Sequence, residues 1–326
     1  MSKNEIDLFL LNQFPVKKAI FLIKFGSWLH KGDSNRFALV LNNQIIGYYG
    51  IIPTIISNKG KLERAIWWND LIISKEFRGY GYQNIIDDNI RNRPEIKLGF
   101  PNKFASKIHK KHGWVIKDSL KVMIYPISPS LISKKFSRNK FFSHFISFIC
   151  KPFLKNALEY RPRWSSRDLK PKLEYYKNIF YLNRGNCCTT NRDMNYFKDK
   201  YFDSPFFDDY LFYHCKKNER VNIYLICRKI ITDKGSFLRI VDLYGSTWDF
   251  SAFIDLINLV IKDSINEDLT HITVLESNKK LQGLMFICGF IFFKKARFCY
   301  YMNSHADIKN LQKTRWVFAD SDNDYF

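Results

Sequence analysis

Glycine is scarce in this chain, 14 among 326 residues, and the few that occur in groups stand out. None of the seven cysteines belongs to a C-x-x-C pair, which argues against structural zinc and against a disulfide framework, and points to a reduced, cytoplasmic chain. No apolar run is long enough to cross a bilayer. The longest, "FFSHFISFIC" at 141–150, is broken by His144 and two serines. The N-terminal "MSKNEIDLFLLNQF" has no small-residue cleavage site and places Glu5 and Asp7 before its apolar residues, unlike a signal peptide. The phosphate-binding signatures G-x-x-x-x-G-K-[ST] and G-x-G-x-x-G are missing as well.

What is present is a chain that is 46% hydrophobic with a formal charge of +21, enough apolar residue for two cores and too much for a disordered protein. The positive charge is spread along the sequence, and Lys, Asn, Ile, Phe and Tyr are all abundant, so the charge reads as compositional bias and nucleic acid is not expected as a partner.

Periodicity predicts strands at 37–43, 44–56 and 65–74, a helix at 82–92 bearing Ile85, Ile86 and Ile90, and a strand at 95–100. A second helix follows, capped by Asn102, with Phe104 and Ile108 on its buried face and Gly113 at its end. The second half offers a fainter copy: strand 237–246, helix 250–263, strand 271–277, and a helix from Asn278 towards Gly289. Asn102 stands eleven residues before Gly113-Trp114, and Asn278 eleven before Gly289-Phe290, so an internal repeat is expected. The segment 128–159, basic and bounded by prolines, reads as the connection.

Between the strand at 65–74 and its helix lies "KEFRGYGYQ". Such a loop delivers free backbone N–H groups to the positive end of a helix, with Arg78 as a fixed cation and Gly79 and Gly81 removing side chains from the anion's path; it suits a phosphate. An ordinary strand-to-helix turn with a surface arginine is the plain alternative.

"LIISKEFRGYGYQNII" followed by "LGFPNKFASKIHKKHGW" resembles the cofactor-binding core of the Gcn5-related N-acetyltransferase family, with Gln83 where that family has Gly or Ala. The resemblance covers about 35–125, and through the repeat it extends to the family's two-lobed members. It implies an α/β fold of two lobes, each a central mixed sheet flanked by helices: 1–127 binding acetyl-coenzyme A, 128–159 the connection, and 160–326 a degenerate lobe forming an acceptor wall. It implies a direct transfer of acetyl to an amine, without metal. Leu71, Ile72, Ile73, Arg78, Gly79, Tyr80, Gly81, Tyr82, Gln83 and Asn102 would hold the cofactor. Asp70 would help remove the amine's proton and His109 would protonate the thiolate, with Tyr80, Tyr82 and Tyr125 as substitutes. Asp70 reads equally as a solvated strand-end carboxylate, and His109 as a surface histidine on a lysine-rich helix.

Two-lobed members are often tied to cell-surface polysaccharide, which implies an amino sugar or its nucleotide-linked form as acceptor. Trp67, Trp68, Tyr48, Tyr49 and Arg192 are candidate contacts, the aromatics reading otherwise as strand packing. On the second copy the loop positions become Phe250, Ser251 and Phe253, so no coenzyme is expected there. Two other readings stay open: a GNAT-like module without chemistry, and a peripheral protein resting on anionic lipid through 134–155.

Overall fold

A computed structural model describes residues 3–128, 158–176, 187–217, 220–233, 235–245, 249–303 and 315–316. The membrane-facing segment proposed at 134–155 lies outside them. Among the described residues no helix is long and apolar enough to cross a membrane.

The chain opens with helices α1 (Lys3–Gln13) and α2 (Val16–Leu29), which periodicity had not singled out. Strands β1 (Arg36–Leu41), β2 (Gln44–Asn58) and β3 (Lys61–Ile73) follow, then α3 (Tyr82–Arg91), β4 (Ile96–Gly99), α4 (Lys103–Lys111) and β5 (Val115–Pro126). The later part supplies β6 (Ser165–Asp168), β7 (Cys187–Thr190), a short helix α5 (Met194–Phe197) that runs into a π turn, β8 (Tyr210–Lys217), β9 (Arg220–Thr232) and β10 (Gly235–Gly245). Then come α6 (Phe250–Asn266), β11 (His271–Glu276), α7 (Lys279–Ile287), β12 (Ile291–Tyr301) and the short β13 (Arg315–Trp316).

The expected mixed sheet flanked by helices is there, and its two halves are continuous. The order runs β13-β7-β2-β3-β4-β12-β5-β11-β10-β9-β8-β6, with β1 beside β2. Parallel pairs form at β3/β4 and β10/β11, each joined by a helix, as a crossover requires. At the centre, β12 from the end of the chain lies between β4 and β5, and β5 in turn pairs with β11.

Burial follows strand alternation. Tyr48, Ile52, Trp67 and Leu98 face one side, where Ala19 and Leu22 of α2 cover them; Tyr49, Ile51, Ile66 and Trp68 face the other, against Ile86 and Ile90 of α3. Two expectations are corrected here. Ile85 is exposed, leaving Ile86 and Ile90 to anchor α3, and Phe104 is exposed while His109 and Ser106 form the buried face of α4. The reason is the socket beneath α4: His109 packs on Trp68 and Trp114, with ring centroids 5.0 and 4.8 Å away, and buried Asp87 lies below it.

Candidate active site

Strands β3 and β4 are paired only through Ala65, Ile66 and Trp67, the last opposite Leu98. Past that point β3 stays with β2 as far as Ile73 while Gly99 stays with Cys299 of β12, so the two strands diverge. Among the described residues the β4-facing edge of β3 from Asn69 to Ile73 has no sheet partner, and the gap between the diverging strands forms a cleft. The expected splay beside Leu71, Ile72 and Ile73 is thus present.

The chain leaves the cleft through the glycine loop. Gly79 and Gly81 have φ of 89° and 83°, a region that L side chains avoid, which explains glycine at both places. Gly81 is the N-cap of α3 and supplies no capping side chain; its carbonyl accepts from Asn84 N at 2.8 Å, and Tyr82 and Gln83 supply the helix's first N–H groups. Arg78 is exposed; its Nε donates to the Ile73 carbonyl at 2.8 Å, which holds the guanidinium beside the loop. Tyr80 is exposed and tilts towards Tyr82, and Gln83 is half-buried in the first turn. Across the cleft, Asn102 caps α4, its Oδ1 accepting from Phe104 N and Ala105 N at 2.9 Å each. That oxygen belongs to the helix, which leaves the exposed amide nitrogen for any ligand.

Asp70 sits in the bulge where the β2–β3 register slips between Tyr48 and Gly50. Its φ of 58° is uncommon outside glycine, and Asp is among the residues that tolerate it. The side chain is 4% exposed and bonded by Lys18 Nζ at 2.7 Å, with His30 Nε2 at 3.6 Å. Both partners come from the α2 side. His109, 6% exposed, takes its neighbours from the α3 side: Trp68, Trp114 and Asp87. Asp87 also accepts from Trp114 Nε1 at 3.1 Å and pairs with Arg91 at 2.9 Å and His112 at 3.3 Å, tying α3 to α4. Asp70 and His109 therefore lie on opposite faces of the sheet, either side of the cleft.

On the Asp70 face a cavity of about 340 Å³ opens between α2, β2, β3 and the turn after α5, with Trp28, Trp67, Tyr196, Asp199, Lys200 and Asp203 in its wall. The later part of the chain reaches it by docking on α2. Phe206 packs against Phe21, Phe25 and Trp28, Lys31 pairs with Asp199 at 2.9 Å, and Trp28 Nε1 donates to the Asp199 carbonyl at 3.3 Å. Of the acceptor candidates, Trp67 lines this cavity. Trp68 faces the other way, under His109. Tyr48 is fully buried with its hydroxyl accepting from Arg36 Nε at 3.2 Å, and burial raises its pKa. Tyr49 stacks on Phe37, and Tyr125 is buried among the second half's core.

Arg192, 3% exposed, belongs to the corresponding place in the second half. There β10 and β11 pair only up to Ile240 and Val274, and a register slip follows before Asp242. Arg192 Nε donates to the Asp242 carboxylate at 2.9 and 3.1 Å, and Tyr201 Oη donates to it at 3.1 Å. Glu276 lies buried nearby; desolvation pushes its pKa up to about 7, against the Ser277 and Asn278 N–H groups that its Oε1 accepts. The helix that follows, α6, is capped by Asp249, whose carboxylate accepts from Ala252 N at 3.1 Å.

Sequence reasoning missed Trp28, Tyr196, Asp199 and His30. Only His30 left a signal, Gly50 in mid-strand, where an isolated glycine marks a close approach.

No family model matches the sequence, and no curated protein matches it. Solved structures do. A GCN5-related N-acetyltransferase from Anabaena variabilis aligns over 92% of this chain and 70% of its own, with a TM-score of 0.57 and 14% identity. Saccharomyces cerevisiae N-myristoyltransferase with bound myristoyl-CoA aligns over 86% of this chain and 74% of its own, at 0.60 and 10%. A protein of unknown function from Enterococcus faecalis, a probable N-acyltransferase, aligns over 92% and 70%, at 0.61 and 11%. Identities this low establish a shared fold, that of the GCN5-related N-acetyltransferases.

Proposed function

We propose that this protein is an N-acyltransferase that moves an acetyl group from acetyl-coenzyme A to the amine of a small molecule. The carrying observation is the open β3–β4 edge running directly into the uncapped, glycine-lined N-terminus of α3 beside Arg78. The residues fit the coenzyme: a phosphate would find helix N-terminal N–H groups and the Arg78 guanidinium there. When bound, the coenzyme supplies an activated acyl thioester. The β3 N–H groups on the open edge, at Leu71 and Ile73 by strand alternation, would donate to the carbonyl oxygen where negative charge develops, and Ile72 would line the same stretch; fixed donors of this kind need no reorganisation.

Placement of the candidate acid and base on opposite faces suits direct attack. An amine entering from the cavity would lose its proton towards Asp70, which stands on the same face but outside the cavity's wall, by way of water, and His109 on the α3 face would protonate the departing thiolate. Trp28, Trp67 and Tyr196, with Asp199, Asp203, Lys31 and Lys200, form a wall of aromatic faces and charges of both signs that suits a polar ring bearing an amine, an amino sugar or its anionic nucleotide-linked form. The recurrence of a parallel strand pair, a register slip and an Asn-capped helix in both halves supports the two-lobed reading, with 1–127 binding the coenzyme, 128–159 connecting, and 160–326 walling the acceptor. The described cysteines are all free thiols, which supports a reducing, cytoplasmic setting.

Isothermal titration with acetyl-coenzyme A, alongside coenzyme A release with a panel of amines, tests the reading. Wild type should bind and release; Arg78→Ala, which leaves the glycines in place, should keep the fold and weaken binding, and Arg78→Ala with Gly81→Val, which strains the loop at a φ of 83°, should lose it. Binding that survives the double substitution would remove the loop from the site, and binding without release to any amine would favour a module without chemistry.

A further inference from the structure

The α2 helix ends at His30, which is 0% exposed and lies flat against Gly50. A Cβ at residue 50 would stand 2.0 Å from the imidazole Cε1, so any larger residue would evict the ring. This is a seat made for a side chain. Nδ1 is 3.1 Å from the Ile51 carbonyl, and because a carbonyl only accepts, Nδ1 carries the hydrogen. In the neutral ring Nε2 is then a bare lone pair, and it faces Asp70 Oδ2 at 3.6 Å. Neither Nε2 nor Oδ2 has a hydrogen-bond donor among the described residues, although both are buried. Two acceptors held face to face at this distance are electrostatically unfavourable until a proton arrives.

We propose that His30 is a positioning residue of the transfer reaction that acts through Asp70, taking up the proton which Asp70 removes from the attacking amine. The proposal rests on the reading of Asp70 as base. In the first step an N–H bond of the amine breaks and an O–H bond forms on Asp70. In the second that O–H bond breaks and Nε2–H forms. The positive charge born on the amine nitrogen thereby ends on the imidazolium, opposite a restored carboxylate. Lys18 holds the other carboxylate oxygen at 2.7 Å, fixing which oxygen meets the ring. The groups facing His30 are Asp70 from β3, Arg36 from β1, Lys18 from its own helix and the Ile51 carbonyl from β2. Burial lowers the pKa of His30, with Arg36 and Lys18 in the same direction, against Asp70 and the bond to Ile51. The ring is consequently neutral, and able to accept, at neutral pH.

The test uses the full chain. An imidazole-nitrogen NMR titration should show His30 as the Nδ1–H tautomer titrating below about 6.5, and Asp70→Asn should lower its pKa further by removing the opposing charge. In parallel, the pH profile of coenzyme A release from acetyl-coenzyme A, with glucosamine as the probe amine, should show an acid limb in wild type. His30→Gln should reduce kcat roughly tenfold, toward the low end of what proton transfer contributes, flatten that limb, and leave the Kd for acetyl-coenzyme A unchanged. His30→Asn keeps a donor for Ile51 and serves if the glutamine variant fails to fold. An Nε2–H tautomer, a His30 titration indifferent to Asp70→Asn, or a variant profile of unchanged shape and height would overturn the proposal. If acetyl-coenzyme A does not bind wild type at all, the acyl-transfer reading fails instead, and the titration alone decides whether the two side chains are coupled.

Discussion

At the end of β3 and at the end of β10 the chain reaches the same juncture and treats it in opposite ways. Both strands part from a parallel neighbour just before a bulge, both carry an aspartate in that bulge, and both lead to a helix. In the first half the aspartate meets a lysine and a neutral imidazole, and the helix begins at a glycine, which brings no capping side chain. In the second half Arg192 and Tyr201 fill the opening and bind Asp242 directly, while Asp249 places a carboxylate on the first turn of α6. A helix N-terminus draws negative charge, and one half supplies it from its own chain. The lesson is that the halves differ in how they treat the same backbone feature: α6 has a carboxylate of its own chain on its first turn, and α3 has a glycine there instead.

The largest effect expected from breaking this contrast is on stability. Arg192→Ala would leave Asp242 buried without its cation, costing about 3–5 kcal/mol, whereas Lys18→Ala, whose lysine is 31% exposed although Asp70 is buried, should cost less; urea denaturation of both variants measures the difference. Next, copying the second half's cap onto the first should convert one kind of helix start into the other. Gly81→Asp is expected to weaken acetyl-coenzyme A at least about a hundredfold, roughly 2.7 kcal/mol, because an internal carboxylate then holds the anion's place; titration calorimetry reads this, with circular dichroism as the check on folding. The reverse change, Asp249→Gly, should create no second site, since Arg192 still fills the gap. The smallest effect separates the two asparagine caps. Asn102→Ala and Asn278→Ala should each lower stability by about 1 kcal/mol, but only Asn102→Ala should also weaken the coenzyme.

Much of this was legible in sequence because it is local. Arg78, Gly79 and Gly81 announce their loop, and Asn102 and Asn278 their caps, through conformational needs that a residue and its near neighbours settle. The orientation of α4 was not, since periodicity favoured Phe104 and Ile108 while the indoles of Trp68 and Trp114 selected His109 for the interior. Nor was the cavity: its wall joins Trp28 to Asp199, 171 residues apart, and no local pattern encodes such a meeting. Arg192 read as a ligand contact because an arginine beside aromatics is ambiguous until its carboxylate partner is placed.

The position of β12 governs how the molecule can come into being. During synthesis β4 emerges early, with one sheet neighbour, and its second neighbour is not made until residues 291–301 leave the ribosome. β5 waits likewise for β11 and β12. The first half must therefore linger with an open strand edge, a state prone to pairing with other chains, and neither half expressed alone can close its own sheet.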